Sequence, residues 1–341
     1  MVALRKPRLA PRPRRVAVVL NVNARRVDEE TVGWLRQLVA SEDLFLSRRP
    51  EDGPKICERV VAEGYDAVLF GGGDGTFAAG VSGLASAAGR RAAALPDVGV
   101  LRFGTGNAMA HAVGVGPATP EGVAGELALA KAGKARRQLQ LLEVEGQPTM
   151  FAGFGLDAQI LEDLKDTLGT MKRVGADKMV RSAGARYFLA VASRSVPRFV
   201  LTPRAEVVAV NRGEPAVRVD KEGNRVGAPI PAGRVLWRGS ASLAAASAIP
   251  YYGLGMKMFP HADREPGRFQ LRLSDAGAAT ILPHLPALWK GRCGHRSIHD
   301  FLVDSVELIV SRPMPFQSGG DLIGDRSSVT ISRYARPISV V

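Results

Sequence analysis

Short unbroken apolar runs alternate with amphipathic stretches over the first third of the chain, and this alternation sets the fold class. Val16-Ala17-Val18-Val19-Leu20 is continuous apolar sequence, as expected of a strand buried on both faces of a parallel sheet. From 29 to about 40, Val32, Leu35 and Val39 recur at helical spacing. Leu44-Phe45-Leu46 reads as a second strand and leads into the polar turn 47–54. The next helix carries Ile56, Val60 and Val61, and Gly64 ends it. Ala67-Val68-Leu69-Phe70 is a third strand, followed by a glycine turn and a helix to about Leu84; 98–103 is a fourth strand. Strands and helices in this rhythm predict a parallel α/β sheet with right-handed crossovers.

After about Gln138 the pattern changes. Short β-like runs at 139–144, 200–201, 206–210, 235–237, 269–273 and 306–310 are separated by Gly, Pro and Asn turns, which predicts an antiparallel β-sandwich. One helical insert, 178–193, interrupts them. The expected organisation is a disordered basic arm (1–15), an α/β nucleotide-binding domain (16–138), a β-sandwich domain (139–315) and a C-terminal segment (316–341) returning toward the cleft or the first domain.

Charge narrows the partners. With 46 Lys and Arg against 33 Asp and Glu, the 341-residue chain carries +13 and should be drawn to nucleoside triphosphate, acidic headgroups or nucleic acid. Nucleic acid is set aside: aromatics are only 6%, and no basic stripe is interleaved with stacking residues. The basic arm holds Arg5, Lys6, Arg8, Arg12, Arg14 and Arg15 among three prolines, and no apolar segment follows it as a secretory signal would require. Cys57 and Cys293 lie far apart and form no disulfide framework, which fits a reducing cytosol. No apolar run approaches the ~20 residues of a membrane span, so any membrane contact is expected at the surface.

The chemistry is concentrated in two glycine turns. Gly71-Gly72-Gly73-Asp74-Gly75-Thr76 lies between a strand and a helix, where phosphates can approach the backbone and the helix offers free N–H groups. Asp74 adds a carboxylate able to hold Mg²⁺, and Thr76 a hydroxyl for capping or for a phosphate. Phe103-Gly104-Thr105-Gly106-Asn107 repeats the design after the next strand. Both turns point to the carboxyl edge of the sheet, where α/β proteins bind ligands. There is no GxxxxGK[ST] loop, and Met109 stands where a dinucleotide fingerprint needs its third glycine. Cys293, His295, His299 and Asp300 are close in sequence, but no second cysteine pair closes a zinc site.

Strand, GGDGT, helix, strand and GTGN, in this order, resemble the catalytic domain of the diacylglycerol kinase-like lipid kinases, including sphingosine and ceramide kinases, over nearly the whole folded chain. GGDGT is shared with NAD kinases, whereas GTGN and the β-rich remainder are similar to the lipid branch. The resemblance implies ATP and Mg²⁺ as cofactors and a lipid substrate bound by the second domain. It implies nucleotide binding by Asn21, Ser47, Gly72, Gly73, Asp74, Gly75, Thr76, Gly104, Thr105 and Asn107, with Asp74 also holding the metal. Phe154-Gly155-Leu156-Asp157-Ala158 looks like a further family segment. The family's Asp-Gly-Glu, whose Glu is the general base, becomes Gly319-Gly320-Asp321, so catalysis falls to Asp321 with Asp74. The first loop departs as Asn21-Val22 with Arg25, Ala108 replaces an Asp, and Pro266-Gly267 replaces an Asp-Gly of a structural Mg²⁺ site.

The reading is an ATP-dependent kinase of a diacylglycerol or sphingoid-type hydroxyl. It would be cytoplasmic and peripheral on anionic membranes, with a homodimer admitted as an assembly. The alternatives are an NAD kinase and a catalytically weak nucleotide or lipid sensor. Tyr251 to Phe259 and the stretch 282–289, flanked by Lys290 and Arg292, are apolar segments suited either to lipid contact or to a core.

Overall fold

The structure, a computed structural model, describes residues 12–104, 107–155, 204–251, 256–292 and 294–341, apart from the side chains of 278, 279, 282 and 285. The expected insert at 178–193 and the run at 200–201 lie outside the described residues.

The N-terminal half alternates as its apolar pattern requires: β1 (Val16–Asn21), α1 (Glu29–Leu38), β2 (Leu44–Ser47), α2 (Asp52–Ala62), β3 (Ala67–Gly72), α3 (Asp74–Arg91), β4 (Asp97–Arg102), α4 (Ala108–Val113) and α5 (Pro120–Lys131). Asp28 caps α1 by accepting from the Thr31 N–H at 2.8 Å, and Thr119 with Pro120 opens α5. The strands β1 and β3 are buried along their length, with Val16, Val18 and Leu20 facing one core and Ala17 and Val19 another. That two-sided burial explains why their sequences are continuous rather than alternating. The sheet has six strands in the order β2-β1-β3-β4-β17-β5, with β5 at Arg137–Leu139 and β17 at Ile338–Val340. Thus the last strand of the chain joins the first sheet, parallel to β4 and antiparallel to β5.

Small residues set the spacing of α2, α3 and β3. A Cβ on Gly80 would fall 2.3 Å from the Phe70 ring, and one on Gly83 would fall 2.8 Å from the Cys57 sulfur. Burial pushes the Cys57 thiol up to about 11.

The second half contains β6 (Leu142–Val144), β7 (Gln147–Thr149), β8 (Phe151–Gly155), β9 (Glu206–Asn211), β10 (Val217–Val219), β11 (Val235–Ser240), β12 (Leu243–Ser247), β13 (Phe269–Ser274), α6 (Ala278–Trp289), β14 (Ile298–Val303), β15 (Ser305–Ser318) and β16 (Asp321–Arg333). Its pairings are antiparallel and link eleven strands. The long β15 pairs β9 along its first half, β8 near its end and β16 on its other side, with irregular register against β16 between Ile309 and Met314. Residues of both ladders, such as Val207 and Ala209 with Phe154 and Ala244, share one apolar core, as in a sandwich.

The basic arm ends earlier than the sequence suggested. Arg12 pairs with Asp66 at 3.0 Å, Arg14 with Asp97, and the Arg15 guanidinium lies 4.2 Å from the centre of the Tyr65 ring. These acids flank the amino-terminal ends of β3 and β4, which attract the arginines and fix the chain from Arg12 onward. Residues 1–11 lie outside the described residues.

Candidate active site

Parallel pairing brings three polar strand ends together at the carboxyl edge. Leu20 is opposite Gly71, which sets Asn21 beside Gly72, and Gly72 is opposite Arg102. Asn21 also lies beside Ser47 at the end of β2. The Asn21 amide donates to the Thr76 hydroxyl at 3.1 Å, while its carbonyl oxygen accepts from the Asn23 N–H at 3.0 Å. The Thr76 hydroxyl is therefore tied to β1 and keeps its own proton for donation. Ser47 is held only by a long contact of 3.4 Å to the Arg49 carbonyl.

The turn after β3 is open. Gly73 is the N-cap of the 18-residue α3, in extended backbone, and forms no side-chain cap. A side chain at Gly72 would collide with Thr76, whose hydroxyl lies 2.4 Å from the Cβ position. Gly75 is exposed in the first helical turn. Uncapped N–H groups on a long helix make an anion site.

Asp321 comes to that turn from far along the chain. Ser318 pairs with Asp321 across a two-residue hairpin, and Gly319 and Gly320 have φ of +62° and +92°. Only glycine adopts both conformations readily, so Gly319 and Gly320 build the turn. The Gly319 N–H donates to the Phe151 carbonyl at 2.8 Å, and the Gly320 N–H to the Gln317 side chain at 3.1 Å. A Cβ at Gly319 would touch Ala78 of α3 at 3.2 Å. The hairpin tip thus rests on the first turns of α3, and the Asp321 Oδ2 lies 4.0 Å from the Cβ position of Gly75. Asp325, the competing carboxylate, is exposed farther along β16 opposite Pro315.

Asp74 is less free than its glycine neighbours imply. It opens α3, and its Oδ1 accepts from the Met109 N–H at 2.9 Å, while the neighbouring Ala108 N–H also favours the ionised carboxylate. Asp74 therefore caps α4 from outside. Burial raises its pKa, and the two backbone donors pull the other way. The ordinary cap of α4 is unavailable: Asn107, in left-handed backbone at φ +50° and 4% exposed, uses its amide on Gly104 instead. It accepts from the Gly104 N–H at 3.1 Å and donates to the Gly104 carbonyl at 2.8 Å. Gly104 in turn abuts Gly73, whose Cα would lie 2.2 Å from a Cβ there. Thr105, Gly106 and the Leu156-Asp157-Ala158 part of the further family segment lie outside the described residues.

One neighbour escaped sequence reading. Arg102, at the end of β4, has a buried Nε with no hydrogen-bond partner and helps depress the pKa of His111 on α4, where burial is the larger cause and Asp74 opposes both. The His111 ring lies 5.8 Å from that of Tyr251. An arginine closing an apolar strand was the available signal. Of the cluster set aside in sequence, Asp300 makes two 2.8 Å contacts with Arg272 and His299 packs near Trp237, while Cys293 lies outside the described residues. Among the described residues no group of three or more His, Cys, Asp or Glu is placed to hold a metal by itself.

For ATP, the glycine cradle, the uncapped helix end and the unpartnered Arg102 Nε fit a polyphosphate. For Mg²⁺, Asp74 would supply one carboxylate, a donor suited to a metal that takes its remaining ligands from phosphate and water.

Residues 15–139 match the family described as diacylglycerol kinase catalytic domain. A "Probable lipid kinase YegS-like" protein of Pseudomonas aeruginosa is 32% identical over 162 residues, covering 46% of this chain and 50% of that protein. Its counterpart in Xanthomonas oryzae pv. oryzae is 36% identical over 91 residues, 27% of this chain and 29% of that protein. The matches thus span half or less of these curated relatives. The crystal structure of a diacylglycerol kinase from Bacillus anthracis str. Sterne shares the fold, with a TM-score of 0.62 at 14% identity over 97% of this chain and 98% of that one.

Proposed function

We propose, starting from an N-terminal region that matches the diacylglycerol kinase catalytic domain family, that this chain transfers the γ-phosphoryl group of ATP to a lipid hydroxyl. The match agrees with the resemblance carried by GGDGT and GTGN. One observation supports the reaction most directly: Asp321, more than two hundred residues from the glycine turn in sequence, stands over Gly75.

The free N–H groups at the start of α3 receive phosphate oxygens, and the glycines let the phosphates approach the backbone. Thr76, held by Asn21, offers its hydroxyl proton, and Gly104 with Asn107 shapes the adjacent wall. Arg102 supplies a fixed positive charge. Asp74 holds Mg²⁺, which when bound neutralises charge on the transferring phosphates. Asp321 accepts the proton of the attacking lipid hydroxyl as the new oxygen–phosphorus bond forms, the bond from the γ-phosphorus to the bridging oxygen breaks and ADP leaves. Ser47 borders the nucleotide side of the cleft.

Transfer of labelled phosphate from Mg-ATP to diacylglycerol, monoacylglycerol, sphingosine and ceramide tests the reading, with NAD as the comparison acceptor. Label on one of the lipids, lost in Asp74→Ala, is the expected result. Label on NAD alone sinks the lipid assignment, and wild-type turnover in Asp74→Ala removes the proposed metal carboxylate.

A further inference from the structure

The helix α6 is unusual in being wholly uncharged, AATILPHLPALW, with Pro283 and Pro286 in its interior. Internal prolines delete backbone donors and weaken a helix, so propensity does not explain it. Both prolines are exposed, and Trp289, in the last turn, is 45% exposed. The helix ends sharply. Gly291 has φ +68°, its N–H donates to the Leu288 carbonyl at 3.0 Å, and the Arg292 N–H donates to the Ala287 carbonyl at 2.9 Å.

Just past that end lie Lys290 and Arg292, both exposed, with exposed Arg296 farther along the chain, and beside it Lys257, whose N–H donates to the Trp289 carbonyl at 2.9 Å. None of the four forms an ion pair among the described residues, because acids of the same domain are engaged elsewhere: Glu265 with Arg225 and Arg268, Glu222 with Lys221, and Asp263 with Arg137. The patch is also continuous with the cleft. Lys257 Nζ lies 5.6 Å from the centre of the Tyr251 ring, which packs near His111 beside the phosphate turns. By contrast, Arg12, Arg14 and Arg15 are bound to acids at the opposite edge of the sheet.

We propose that the carboxyl end of α6, with Trp289 among Lys257, Lys290, Arg292 and Arg296, docks this protein on an anionic phospholipid bilayer. An exposed indole prefers the headgroup region, an uncharged helix tolerates shallow burial there, and the unpaired cations meet the negative surface. Docking in this way turns the Tyr251 side of the cleft toward lipid. The orientation rests on the lipid kinase reading, whereas the docking itself is measured without turnover.

Co-sedimentation of the full chain with phosphatidylcholine vesicles, with and without phosphatidylglycerol, is the test. Each basic residue near an anionic surface contributes about fivefold in partitioning, so Lys290→Glu/Arg292→Glu should bind the anionic vesicles at least about 25-fold more weakly. Deleting residues 1–11 should have the smaller effect. Trp289 emission should shift to the blue on vesicle addition, and Trp289→Phe should lose that shift while Trp34 and Trp237 still report the fold. Unchanged partitioning of the double variant, equal binding to neutral vesicles, or loss only on deletion of the arm overturns the proposal. So does an equal loss of turnover on a short-chain soluble acceptor, since the cations would then serve the site and not the bilayer. Vesicle binding of the predicted kind by a protein that phosphorylates no lipid leaves the docking surface standing and refutes the kinase reading alone.

Discussion

The glycine turn after β3 and the glycine turn after β4 look like one device used twice, and they touch at Gly73 and Gly104. Their roles differ. The first opens the 18-residue α3 with no side-chain cap, and Gly75 faces solvent beneath Asp321. The second is followed by the six-residue α4, whose Met109 N–H is taken by Asp74. Its Asn107 is buried and turned back on Gly104. Helix N-termini bind anions only while their donors are unspent. Under the proposed function one turn is the anion site and the other its buttress, and Asp74 joins them.

The sharpest way to break this comparison is at Asp321. If the open turn is where the γ-phosphoryl group sits, Asp321→Asn should slow transfer by about 10²–10⁴-fold while ATP binding persists. Asp321→Glu should retain or improve the rate, because one more methylene extends the carboxylate over Gly75. Asp325→Asn should be much milder, since four strand residues separate the two by roughly 13 Å. Rapid-quench transfer with separate nucleotide titrations measures both effects. A dead Asp325→Asn beside an active Asp321→Asn would move the chemistry off the open turn.

The parallel sheet was readable because two-sided burial leaves unbroken apolar runs, and β1, β3 and β4 fall where Val16–Leu20, Ala67–Phe70 and 98–103 predicted. The GGDGT turn was readable because strand, glycines and helix are contiguous. Sequence shows Asn107 as an amide beside glycines, but not the two bonds it makes to Gly104 within its own loop. The cap that Asp74 gives to α4 was hidden too, since it joins residues 35 positions apart across a tertiary contact. The arm from Arg12 to Arg15 read as repelling charge because its acidic partners, Asp66 and Asp97, are supplied only once the sheet has formed.

A gentler contrast comes from placing the same methyl group in each turn. Gly104→Ala would put a Cβ 2.2 Å from the Gly73 Cα and 2.7 Å from its nitrogen. Backbone cannot yield as a side-chain tip does, so a loss of about 1–3 kcal/mol is expected, visible in denaturant unfolding. Asn107→Ala should cost about as much, because it strands the Gly104 N–H and carbonyl in a buried loop. Gly75→Ala meets nothing nearer than Asp321 at 4.0 Å and should be neutral or stabilising by up to about 1 kcal/mol, as alanine favours the helix. It should still slow transfer, because the methyl stands between Asp321 and the phosphate position. Equal destabilisation by the two alanines would erase the distinction between open turn and buttress.

The smallest expected effect concerns Asp74, which belongs to both turns. Burial raises its folded pKa above the unfolded value near 3.8, so the fold prefers the neutral carboxyl. In the metal-free protein the sign follows directly. Below the unfolded pKa the group is neutral in both states and imposes no charge penalty. As pH climbs past it, the unfolded chain ionises first and stability falls until the folded pKa is passed. Asp74→Asn keeps an oxygen for the Met109 N–H and removes the charge, so it should melt slightly higher than wild type at neutral pH, by about 1–3 °C. The gap should close toward pH 3–4, where the wild-type carboxyl is neutral in both states. Adding Mg-ATP should raise the wild-type melting temperature more than that of Asp74→Asn, because only the carboxylate can hold the metal. Thermal melts across pH with and without Mg-ATP check all three points. A variant less stable than wild type at every pH would instead show that the charged carboxylate is what caps α4, and that the buttress depends on charge and not on shape.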